Sequence, residues 1–118
     1  MKKLAPDIFR QRLLVEGFYA IKVDRLVIKD YFSGICNHLG LKAYGEPIIF
    51  SPGGIGKEEN QGYDAFVPLI DSGISVYVWA SKSIVSLIIY TCKGFDSAAA
   101  VNFTKDFFKI GEIAFEEF

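Results

Sequence analysis

Histidine and cysteine are scarce in this 118-residue chain: it has one histidine, His38, and two cysteines, Cys36 and Cys92. One imidazole and two distant thiols make no credible zinc set, so no metal is expected. Two cysteines are also too few for a disulfide framework, and each thiol is expected reduced. An excess of charge of either sign is missing too. Thirteen Lys and Arg against fourteen Asp and Glu leave a net −1, which gives no basic field for a nucleic-acid partner. No apolar run reaches the ~20 residues that span a bilayer, so no membrane role is expected. The densest run, residues 84–92, is strand-length and carries Ser86 and Thr91. Met1-Lys2-Lys3 leads into Pro6-Asp7 and Arg10-Gln11-Arg12 rather than a signal-peptide core, and a cytoplasmic location is expected. What is plentiful is apolar and aromatic. The chain is 51% hydrophobic with eleven Phe and six Tyr, which excludes disorder. It suggests a thick apolar sheet face, an aromatic ligand pocket or a buried dimer interface.

Residues 12–22 are rich in β-formers and predict a first strand, with Glu16 and Gly17 inside it. Asp24 can cap a helix in which Leu26, Ile28, Tyr31, Phe32, Ile35, Cys36 and Leu39 recur at helical spacing up to Gly40. Strands are predicted over 43–50, interrupted by Gly45 and Pro47, and over 63–70, 74–80 and 84–92. The segment from Ser51 to Gly62 is a glycine-rich loop, and Asp71-Ser72-Gly73 and Ser81-Lys82-Ser83 are turns. Asp96 caps a second helix carrying Val101, Phe103, Thr104, Phe107 and Phe108 and ending at Gly111, and 112–118 is a candidate last strand. Short turns between consecutive strands imply antiparallel hairpins. The expectation is one α+β domain over 1–118, a two-layer sandwich with an antiparallel sheet and two helices on one face.

Three catalytic signals are weak. Ser51-Pro52-Gly53-Gly54-Ile55-Gly56-Lys57-Glu58 hints at a phosphate cradle. It fails the P-loop pattern at its first glycine and at the residue after Gly56-Lys57. His38 lies late on the first helix, where a solvated or dipole-paired role is expected. No nucleophile elbow surrounds any serine.

A further stretch carries more information. Asp71-Ser72-Gly73-Ile74-Ser75-Val76-Tyr77-Val78-Trp79, then Ile88-Ile89-Tyr90-Thr91-Cys92, resembles the core of the prokaryotic S-adenosylmethionine decarboxylases. That family reads acid-Ser-His-(Ile/Leu)-(Ser/Thr)-Ile-His-Thr-Trp-Pro-Glu, followed by a strand ending Phe-Thr-Cys-Gly. Arg12-Leu13-Leu14-Val15-Glu16-Gly17-Phe18-Tyr19 looks like its opening strand, and Phe50-Ser51-Pro52-Gly53-Gly54-Ile55-Gly56 like its Phe-Ser-Pro loop. The resemblance covers most of residues 12–110 in one element order.

The resemblance implies a homodimer that acts on S-adenosylmethionine or a related amine in polyamine (spermidine) synthesis. It also implies autocatalytic cleavage between Asp71 and Ser72, which turns Ser72 into a pyruvoyl group whose ketone serves as electron sink. Cys92 would be the proton donor, within reach of the residue-72 hydroxyl. Phe50 would stack on adenine, with Asp64 and Trp79 as further substrate-binding candidates. The family's processing histidine stands here as Tyr77 and its second histidine as Gly73, and Ala80-Ser81 replaces Pro-Glu. Elimination needs a base, and a phenol is a poor one at neutral pH. Two expectations follow: a pyruvoyl-dependent decarboxylase, or an uncleaved member that binds a nucleoside or amine or regulates a partner.

Overall fold

Two-residue alternation of apolar side chains builds the sheet, and three-to-four-residue recurrence builds the helices that cover it. The computed structural model describes residues 1–53, 55, 57 and 61–118. Its elements are β1 Gln11–Phe18, α1 Arg25–Leu39, β2 Ile48–Phe50, β3 Gly62–Leu69, β4 Ser72–Trp79, β5 Ile84–Thr91, α2 Ser97–Phe108 and β6 Ile113–Glu117. The cradle reading of the glycine-rich loop rests on Gly54, Gly56 and Glu58, which lie outside the described residues.

The strands form one antiparallel sheet in the order β2-β3-β4-β5-β1-β6. With the two helices this is the expected α+β architecture. Leu13, Val15, Val67, Leu69, Ile74, Val76, Leu87 and Ile89 point to one face and are buried. They join Ile28, Tyr31, Phe32 and Ile35 of α1 and Ala100, Val101 and Phe108 of α2 in one core. Each large aliphatic side chain buried there contributes about 1.5–3 kcal/mol. The opposite face carries Phe18, Phe50, Phe66, Tyr77 and Tyr90, all substantially exposed.

Each helix starts where a carboxylate accepts an orphan backbone N–H: Val27 donates to Asp24, and Ala99 to Asp96. Gly40, at φ +69°, closes α1 as expected. The closure of α2 is by Lys109 at φ +53° rather than by Gly111. The helices are joined by a buried hydrogen bond, 2.8 Å between the Tyr31 hydroxyl and Thr104 Oγ1.

Four boundaries differ from the sequence expectation. β1 stops at Phe18 because the Tyr19 and Ala20 amides turn away to the carbonyls of Ser83 and Phe108. Only residues 48–50 of the expected 43–50 strand pair as a strand. Pro47 has no N–H to give a ladder, and Ala43 keeps a single bridge to Leu69. Ser72 and Gly73, expected in a turn, open β4; the hairpin turn is Ile70-Asp71, with Asp71 at φ +59°. Cys92, expected at a strand end, lies one residue beyond β5 in a bend.

Candidate ligand site on the open sheet face

Antiparallel register sets Phe50 of β2, Asp64 of β3 and Tyr77 of β4 in one row, each paired with the next. The row continues through Ser86 of β5 to Glu16 of β1. All five lie on the face away from the helices, because alternation gives their neighbours Ala65, Val76, Leu87 and Val15 to the core. Phe50, Asp64 and Tyr77, with Ile48, Ala65 and Phe66, line a shallow cavity of about 210 Å³. Asp64 is its one charged group, and it makes no ion pair among the described residues. An unpaired carboxylate walled by aromatic rings suits an organic cation. On the helix side of the same strands, Arg25 donates to the Ile49 carbonyl at 2.5 Å and lies over the Tyr63 ring.

Three of the seven residues expected at a site, Phe50, Asp64 and Tyr77, therefore meet in one cavity. Trp79 is on the same face two residues beyond Tyr77, outside the cavity lining. Asp71, Ser72 and Cys92 gather at the other end of β4, roughly 16 Å from Tyr77 at 3.3 Å per residue. There the Cys92 amide donates to the Asp71 carbonyl at 3.2 Å, so the backbones of the two residues are neighbours. Ser72 pairs with buried Thr91 and shares its core-facing side. Its Oγ is buried and has no hydrogen-bond partner. The Cys92 side chain is exposed on the bend.

Sequence reasoning missed Glu16 and Ser86 as site-face residues. Their side chains bond at 2.7 Å beside Tyr77. The signal was a lone carboxylate inside an otherwise apolar strand, but its place became visible only with the register.

A pyruvoyl group at position 72 requires a nucleophile, a held carbonyl and a base that removes a carbon-bound proton. The orphaned Ser72 hydroxyl and the Asp71 carbonyl held by the Cys92 amide meet the first two needs. The third is unmet. The chain's one imidazole, His38, sits on α1 stacked against Phe103 at 5.2 Å between ring centres. The position next to Ser72 is Gly73, whose open side is filled by the Phe66 ring. The residues present do not fit the group as a set. Among the described residues, no three His, Cys, Asp or Glu side chains cluster to hold a metal ion. No helix there is long and apolar enough to cross a membrane.

The fold is similar to that of the adenosylmethionine decarboxylase from Aquifex aeolicus VF5, with a TM-score of 0.73. The two share 16% identity, and the match covers 94% of this chain and 89% of that one. A search of curated proteins finds no match. The S-adenosylmethionine decarboxylase family model matches residues 14–118, nearly the whole chain. A match over that much of the sequence shows that this chain belongs to the S-adenosylmethionine decarboxylase family.

Proposed function

We propose that this family member remains a single uncleaved polypeptide and binds a cationic amine or sulfonium ligand in the aromatic cup of Phe50, Asp64 and Tyr77. The observation that carries the reading is chemical: a phenol and a glycine occupy the two positions where elimination needs an imidazole. In the cup, Asp64 supplies the countercharge and the rings supply a polarisable wall. Apolar side chains left on the open face also support pairing of two copies through that face, as the resemblance implied. A single monomeric species in sedimentation at micromolar concentration would remove the pairing.

Intact-mass measurement of the purified full chain tests the central claim. One species of 13.2 kDa is expected, before and after incubation with S-adenosylmethionine. Two fragments divided between residues 71 and 72 would overturn it. Titration with S-adenosylmethionine then tests the cup: Asp64→Asn should weaken binding about fivefold, near 1 kcal/mol for one partly exposed charge. Unchanged affinity in Asp64→Asn would place the ligand elsewhere.

One observation favours a second reading, retained decarboxylation in polyamine synthesis. Ser72 Oγ is buried without a partner, beside a carbonyl already held by an amide. On that reading the same mass measurement shows two fragments divided between residues 71 and 72.

A further inference from the structure

The ten residues before β1 fold back to wall a second cavity, about 220 Å³, lined by Met1, Lys3, Pro6, Ile8, Phe9, Arg10 and Arg12. Three of these seven carry positive charge and none is acidic. Among the described residues neither Lys3, Arg10 nor Arg12 makes an ion pair. Arg10 is spent in part on the wall itself: its guanidinium donates to the Leu4 carbonyl at 2.6 Å and the Ala5 carbonyl at 3.4 Å. Arg12 is different. Its Nε is buried and has no acceptor, while its guanidinium carbon lies 5.3 Å from the centre of the Phe118 ring. A buried donor on a permanently charged group is costly when unpaired. Glu117 pairs with core-facing Leu13 and is turned to the helix side, where it accepts from Ser97 and Gln11. Glu16, four residues along the same strand, accepts from Ser86. The other acids of this end, Asp7 and Glu116, make no ion pair either. The cavity therefore has three converging cations and an orphaned donor.

We propose that this cavity is a binding site for an oxyanion, a phosphoryl or carboxylate group, held by Arg12 with Lys3 and Arg10. The donor set is the one that favours planar or tetrahedral oxyanions: a guanidinium fork, a second guanidinium with donors to spare and a mobile ammonium. Register adds a position to the chemistry. Arg12 pairs with Tyr90, and Tyr90 pairs with Gly73, so the site lies on the open face two strands from the Ser72 corner. A ligand bearing an acidic group would thus be gripped away from the Asp64 cup, by different residues.

Calorimetric titration of the full chain with inorganic phosphate at low ionic strength, and separately with acetate, tests the proposal. Saturable phosphate binding is expected, weakened at least tenfold in Arg12→Gln and several-fold in Lys3→Gln, and unchanged in Lys82→Gln on the β4–β5 turn. Lys3 is exposed, so its variant keeps the test valid should Arg12→Gln not fold. Binding of phosphate alone assigns a phosphoryl ligand, and binding of both anions assigns any oxyanion. Absence of saturable binding for both anions would overturn the proposal, as would equal affinity in wild type, Arg12→Gln and Lys3→Gln. Neither result bears on the Asp64 cup, whose variant reads a different ligand.

Discussion

Truncating the hydroxyl pair between the helices should reveal an asymmetry that the structure dictates. Thr104 Oγ1 donates its one proton to the Ala100 carbonyl at 2.8 Å, so at the shared 2.8 Å contact Tyr31 must be the donor. Both side chains are fully buried. Tyr31→Phe removes one bond and leaves Thr104 still donating, which costs about 1 kcal/mol. Thr104→Val keeps the shape but strands a buried phenolic O–H with nothing to receive it, and costs about 2–3 kcal/mol. The double variant removes both partners and should cost about 1 kcal/mol less than the sum of the singles, or better. For 118 residues these become melting-temperature losses of roughly 4 °C per kcal/mol. Circular dichroism melts and urea titrations of the four proteins measure the cycle. The reasoning is refuted if Thr104→Val is no costlier than Tyr31→Phe, or if the two changes simply add.

Three other outcomes are expected. Burial holds the Tyr31 phenol protonated well above its ordinary value of 10. The folded state therefore keeps a proton that the unfolded chain loses, so stability is intact below pH 10 and falls above it. Tyr31→Phe should show a shallower alkaline loss in pH-dependent urea unfolding. Iodoacetamide should modify one thiol in the native protein and two in denaturant, because Cys92 is exposed while Cys36 is buried and its thiol is pushed up by desolvation; peptide mapping checks which. Gly62 sits at φ +154°, and a Cβ there would run into the Val78 carbonyl oxygen. Gly62→Ala should therefore cost more than 2 kcal/mol in equilibrium unfolding and disturb the β3–β4 pairing that positions Asp64.

Local patterns were legible, and distant pairings were not. The helices could be read to within a residue or two because Asp24, Gly40 and Asp96 carry their capping chemistry in the chain itself. The succession of elements along the chain and the two-layer class followed from short turns between apolar runs. Strand ends were harder, because competing tertiary bonds decide them. Tyr19 looks as β-prone as Phe18, yet its amide is taken by Ser83. The insertion of β1 between β5 and β6 is a nonlocal result that no spacing in the chain announces. The cup depends on the same kind of information. Phe50, Asp64 and Tyr77 were singled out by motif resemblance, but their alignment in a row is a product of register. The cationic cavity was invisible for a related reason: Lys3, Arg10 and Arg12 share a lining only once the first ten residues fold back against β1.

The two strands that bound the sheet have a consequence for how copies can meet. β2 offers only three residues after Pro47, and β6 ends on Glu116 and Glu117. A short rim on one flank and an acidic one on the other both discourage an incoming chain from templating onto the ladder. Edge-on growth of the sheet into open-ended stacks is thereby discouraged.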